Sequence, residues 1–119
     1  MHELSVCRAL IRQVDEVVRQ HRAAGVKAIR LKIGPLSGVE PGLLEQAFPL
    51  ASKDTVAEGA RLVVERPSVR VNCQSCGADS DAAPNRLLCG QCGSPRTRLV
   101  GGDELLLAGV ELAAAKQKV

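Results

Sequence analysis

Residues 73–93 read CQSCGADSDAAPNRLLCGQCG. Cys73 and Cys76 are separated by two residues, Cys89 and Cys92 by two more, and twelve residues lie between the pairs. Two intervening residues let both sulfurs of one tight turn reach one metal. Gly77 and Gly93 follow the pairs, where glycine permits the positive φ that turns backbone N–H groups toward the sulfurs. Two such turns supply four thiolates, and tetrahedral zinc takes four ligands at about 2.3 Å. The spacing therefore predicts a Cys73, Cys76, Cys89, Cys92 zinc site, with iron in an all-sulfur site as the chemical rival. Four protein ligands close the coordination sphere, so the site is expected to be structural. Asp79 and Asp81, between the pairs, read as solvated loop charges.

Working outward, the composition changes at both ends of this module. From about Val69 to Arg98, Gly, Pro, Asn and Ser crowd in and apolar periodicity is lost. Upstream, residues 3–22 read as an amphipathic helix: Leu4, Cys7, Leu10, Ile11, Val14, Val17 and Val18 recur at helical spacing. Cys7, the fifth cysteine, lies on that stripe and reads as a small buried hydrophobe. Gly25 is expected to end the helix. Residues 26–33 alternate as a strand, with Ile29, Leu31 and Ile33 on one face and Arg30 and Lys32 on the other. After the loop GPLSGVEPG, Pro41 is placed to open a second helix, with Leu43, Leu44, Ala47, Phe48 and Ala51 on its apolar face. Residues 61–66 make a second strand, stopped by Pro67. Downstream, DELLLAGVELA suits a strand buried on both faces, although periodicity alone also admits a helix.

Composition limits what such a chain does. Of its 119 residues, 45% are apolar, and Phe48 is the only aromatic residue. No apolar run approaches the ~20 residues that cross a bilayer, and no basic-then-apolar leader opens the chain, so a cytoplasmic protein with no membrane role is expected. An odd count of five cysteines in paired spacing suits metal rather than disulfides there. Four thiolates and one divalent zinc lower the formal net charge of +3 to +1. That is too small and too spread to argue for a phosphate-binding surface.

The opening residues MHELSV raise a second metal site. His2 and Glu3 stand directly behind Met1, and the helical pattern begins at once. The Met1 amine, the His2 amide nitrogen and the Glu3 amide nitrogen can form successive five-membered chelate rings, and the His2 imidazole reaches the same ion. Nitrogen-rich, near-planar sites of this type suit Ni(II) or Cu(II) rather than Zn(II). Such a site is open, which fits delivery better than storage, and it requires Met1 to be the true terminus. The second histidine, His21, is placed near a helix C-terminus, where a cation is favoured, and is given no ligand role.

These pieces together resemble the HypA/HybF family of hydrogenase maturation factors, the nickel metallochaperones. The resemblance runs almost end to end: MHELSV, IGPLSGVEP, AF in the second helix, AEGA before the second strand, the paired cysteines, and GDELLLAGVEL. It implies an α+β protein: a small α/β domain of two helices on a three-stranded sheet, with an inserted zinc-ribbon-like domain held by four cysteines. The nickel-binding domain would span residues 1–68 and 99–119, and the zinc domain 69–98. It maps the nickel ligand to His2, with the Met1 amine and Glu3 in support, and the zinc ligands to Cys73, Cys76, Cys89 and Cys92. It implies no enzyme, but transfer of Ni(II) with a nickel-handling GTPase into the large subunit of [NiFe] hydrogenase, some members also serving urease. Monomer and homodimer, the latter by exchange of the cysteine module or last strand, both stay open.

The competing reading is a zinc-ribbon nucleic-acid adaptor, with Arg70, Arg86, Arg96 and Arg98 on phosphates. The module has no aromatic residue for base stacking, and the corrected charge is small. No nucleophile–base pairing, Gly-rich phosphate loop or open zinc site points to an enzyme.

Overall fold

The computed structural model describes residues 2–114. In chain order the elements are α1 (His2–Gln20), β1 (Gly25–Ile33), α2 (Pro41–Ser52), β2 (Arg61–Glu65), β3 (Val69–Cys73), β4 (Asp79–Ala82), β5 (Thr97–Gly101) and β6 (Leu105–Ala113). They form two three-stranded sheets, ordered β2-β1-β6 and β4-β3-β5. The fold is α+β, as expected. The chain divides into two compact units. One takes the segments up to Leu31, Glu40–Val64 and from Leu107 onward; the other takes Lys32–Val39 and Glu65–Leu106.

The first unit is built on the apolar stripe of α1. Cys7, Leu10, Ile11, Val14 and Val18 are buried, and their three- and four-residue spacing puts them on one side of the helix. They meet Leu44 and Phe48 of α2 and Ile29 and Leu31 of β1, with Leu62 of β2 closing the same core. Val14 and Leu44 are 0% exposed. The Cys7 thiol donates to the Leu44 carbonyl at 3.5 Å, so the fifth cysteine is a core residue tying α1 to α2. Burial, with the nearby Glu3 carboxylate, pushes that thiol up from its ordinary pKa, so it stays protonated. Glu40 caps α2, its carboxylate accepting from the Gly42 N–H at 3.1 Å, and Pro41 follows in the first turn, where no N–H is needed.

Three local expectations change. The first helix ends at Gln20, and the reversal is made by Arg22 at φ 50°, not by Gly25, which opens β1. Helix-closing bonds already run from His21 N–H to the Val17 carbonyl and from Ala23 N–H to that of Val18, so the chain has turned before glycine is reached. Leu43 is 41% exposed and not part of the core; of the expected α2 face, Leu44 and Phe48 are buried. The DELLLAGVELA segment is a strand, but it lies at a sheet edge with both faces half exposed. The central strand is β1, with Ile29, Leu31 and Ile33 buried on one face and Arg30 exposed on the other. A hydrophobic run thus marked an edge, and an alternating one the centre, because strand order is set by pairing between segments and not by the hydropathy of either.

In the second unit, β3 is central and pairs antiparallel with both neighbours, Val71 lying opposite Ser80 on β4 and Leu99 on β5. Val69, Val71 and Cys73 face inward in strict alternation. Asp79 and Asp81 are strand residues, which corrects their reading as loop charges. Asp81 accepts from Arg70 at 2.9 Å and Ser68 at 3.1 Å, and Asp79 from the Asn72 side chain at 2.8 Å. The glycine-rich loop after β1 is bonded into this unit: Gly34 N–H donates to the Glu104 carbonyl at 2.8 Å and Leu36 N–H to the Gly102 carbonyl at 2.7 Å. A Cβ on Gly34 would lie 2.2 Å from the Gly102 oxygen, so this approach admits only glycine.

Candidate metal centres

The four predicted cysteines converge. Two tight turns project from the β3 end and from residues 89–93, and their Sγ atoms all lie within 4.8 Å of one another. Cys73 Sγ is 3.6 Å from Cys92 Sγ, and Cys76 Sγ is 3.6 Å from Cys89 Sγ. Four sulfurs at about 2.3 Å from one ion in a tetrahedron stand about 3.8 Å apart, so the residues present fit a zinc-sized ion. The same polypeptide logic builds each half. Gly77, at φ 78°, returns its N–H to the Cys73 carbonyl at 2.9 Å; Gly93, at φ 77°, does the same to Cys89 at 2.9 Å. Between them the N–H groups of Ser75 and Cys76 converge on Cys73 Sγ, each at 3.3 Å. Those of Gln91 and Cys92 converge on Cys89 Sγ at 3.3 and 3.4 Å.

This asymmetry within each turn divides the thiols electrostatically. The Cys76 N–H, with that of Ser75 and against the effect of burial, holds Cys73 down to about 6. The N–H groups of Cys92 and Gln91 lower Cys89 likewise. Cys92 receives a downward pull from the Ser94 N–H, but Cys73, burial and the other two sulfurs push it up to about 11. Cys76 also rises: Cys89, burial and Cys73 outweigh the Ala78 N–H. Cys73 and Cys89 are buried, Cys76 and Cys92 exposed. One feature had no signal in the sequence: the Ser75 and Ser94 hydroxyls meet at 3.0 Å and join the turns. The rival role for the nearby arginines is weakened at Arg70, whose guanidinium is engaged by Asp81.

The other candidate residues open α1 in the first unit. Glu3 is buried, 6% exposed, in the first turn, where a carboxylate is favoured by the helix dipole. The His2 imidazole stands in solvent with Nε2 3.3 Å from Glu3 Oε2. Met1, expected to supply the amine, lies outside the described residues. His21 directs Nδ1 at the Val17 carbonyl, 2.9 Å away. No helix among the described residues is long and apolar enough to cross a membrane.

Comparison with known proteins decides the family. The model of a family described as hydrogenase/urease nickel incorporation, metallochaperone, hypA matches residues 1–112. The chain belongs to the HypA family. The hydrogenase maturation factor HypA of Nitrosospira multiformis is 49% identical over 112 residues, spanning 94% of this chain and 97% of that protein. The one from Aquifex aeolicus is 38% identical over the same shares. The solution structure of the Ni metallochaperone HypA from Helicobacter pylori superposes with a TM-score of 0.69 at 25% identity, covering 97% of this chain and all of that one. A second HypA solution structure gives 0.73 at 26% identity, covering 97% and 98%. A HypA-type maturation factor with a four-cysteine metal site is thus the framework for the function of this chain.

Proposed function

We propose that this protein is a cytoplasmic nickel metallochaperone for [NiFe] hydrogenase. It takes Ni(II) at its N-terminus and passes it, with a nickel-handling GTPase, to the hydrogenase large subunit; maturation of urease is a second client route. It performs no bond-making chemistry of its own. Cys73, Cys76, Cys89 and Cys92 hold a structural zinc that folds the β3–β5 ribbon.

The observation that carries the nickel assignment is that α1 begins at His2. Nickel bound through peptide nitrogens must displace amide protons, and within a helix such protons are committed to carbonyls one turn back. The first four N–H groups of a helix have no such partner. The backbone nitrogens of His2 and Glu3 therefore meet the ion without a helical hydrogen bond being broken, and the Met1 amine and His2 imidazole complete a nitrogen set that suits Ni(II). An ion held at the chain's own end is open to ligand exchange with a partner, as delivery requires.

The test is a calorimetric titration of Ni(II) into untagged, zinc-loaded protein, beside His2→Ala and a variant with one extra N-terminal glycine. One nickel on the parent and none on either variant, with zinc held at one per chain throughout, supports the reading. Undiminished nickel binding by both variants sinks it.

A further inference from the structure

His2 and Glu3 are neighbours in sequence with opposite environments. The Glu3 side chain is 8% exposed and that of His2 59%. Glu3 lies in a groove between α1 and α2 lined by Leu4, Leu43, Gln46, Ala47 and Leu50, and its side chain is buried there. The imidazole bends back to it, Nε2 to Oε2, at 3.3 Å.

A carboxylate oxygen accepts and does not donate, so the ring nitrogen that meets it carries the hydrogen. In the neutral imidazole the other nitrogen then holds the lone pair. That nitrogen is Nδ1. It is also the one that closes a six-membered chelate ring with the backbone nitrogen of the same residue; Nε2, across the ring, points away from its own main chain. Pairing and chelation thus require the same tautomer. We infer that Glu3 acts on nickel as a positioning residue through its side chain: it holds His2 as the Nε2–H tautomer and turns Nδ1 toward the ion, without ligating it through the carboxylate. This rests on the nickel reading above and deepens it. A carboxylate that meets the outer nitrogen of a metal-binding histidine sets its tautomer and ring orientation, and its removal costs about 10- to 100-fold in affinity.

The chain carries its own reference. His21 places Nδ1 2.9 Å from the Val17 carbonyl, which also only accepts, so that ring is the Nδ1–H tautomer. The two histidines of this protein hold opposite tautomers.

The test uses the intact, zinc-loaded, nickel-free protein with 15N-labelled histidine, at a pH above the ordinary imidazole value of about 6.5. Imidazole NMR reads each tautomer, with His21→Gln assigning the rings. An Nε2–H pattern for His2 beside Nδ1–H for His21 is expected. Glu3→Gln is then titrated with nickel. Its amide has the same shape but presents either an oxygen or an NH2 to Nε2, so the tautomer preference weakens and nickel affinity falls about tenfold. Zinc content and helical circular dichroism stay at the parent's values. An Nδ1–H pattern for His2 in the parent overturns the role of Glu3, and does so even where the variant fails to fold. A folded variant with the parent's nickel affinity overturns it too, leaving nickel binding itself intact. A parent that takes no nickel overturns the broader reading and this one with it.

Discussion

The hydroxyl oxygens of Ser75 and Ser94 lie 3.0 Å apart, one from each cysteine turn. They make the only side-chain bridge between the turns that does not run through sulfur, among the described residues. The sulfurs themselves repel once ionised, so without a cation the ribbon holds two turns together against their own charge. Metal is therefore expected to stabilise the folded ribbon.

Replacing Cys73 with Ser should remove the zinc and destabilise the second unit while α1 and α2 keep their structure. Metal analysis should fall from one zinc per chain to none, and hydrogen exchange at the amides of residues 69–101 should quicken. A variant that retains zinc at full occupancy would show that three sulfurs suffice.

Zinc binding should be proton-linked with a changing count. Cys73, held down to about 6, is a thiolate at pH 7, whereas Cys92, pushed up to about 11, still carries its proton. Binding at pH 7 should thus release fewer protons than there are ligands, and the full complement as the pH falls below about 6. The sign for the metal-free ribbon follows. A thiol depressed in the folded state contributes stability that is present above its ordinary value and is lost as pH falls through about 6. The raised Cys92 contributes below its ordinary value and loses this as pH rises through about 11. Calorimetry in buffers of different ionisation enthalpy counts the protons; a pH-independent count of four would contradict this ordering of the thiols.

Leu44→Ala should destabilise the first unit by about 2–5 kcal/mol, because a fully buried leucine leaves a cavity that α1 and β1 only partly refill. Urea unfolding followed by helical circular dichroism measures it. Zinc content should not change. A loss below about 1 kcal/mol would mean that the helices repack freely.

Gly102→Ala should disturb the second unit. Gly102 sits at φ 109°, and a Cβ there would lie 2.7 Å from the Val69 backbone. Strain of this kind costs about 1–3 kcal/mol before any shift is counted. The melting temperature should fall, and hydrogen exchange at the Leu36 and Gly34 amides should quicken, since both pair with residues 102–104. Unchanged protection at those amides would separate the loop from this turn.

Much of the candidate metal chemistry was legible in order alone. The two CxxC turns are local objects: two intervening residues and a following glycine determine where both sulfurs point, and the structure reproduces the positive φ at Gly77 and Gly93 that the spacing demands. The helix stripe from Cys7 to Val18 was equally readable, because a 3.6-residue period is a property of the segment and needs no partner. His2 was singled out by position alone, because chelation by an amine and adjacent peptide nitrogens would involve only neighbouring residues; its nickel role is the proposal above.

What tertiary structure decided is everything that depends on which surfaces meet. The run DELLLAGVELA looked more buried than β1, yet β1 is central, because strand order is set by pairing between distant segments and not by the hydropathy of either. Asp79 and Asp81 became strand residues once Arg70, Ser68 and Asn72 on and beside β3 supplied their hydrogen-bond partners. Gly34 is required by the Gly102 backbone, far away in sequence. The Glu3 carboxylate lies in a groove lined by Leu43, Gln46, Ala47 and Leu50 of α2, with the exposed His2 ring beside it. Local chemistry is written in spacing; burial and strand order belong to the packing of segments that the sequence keeps apart.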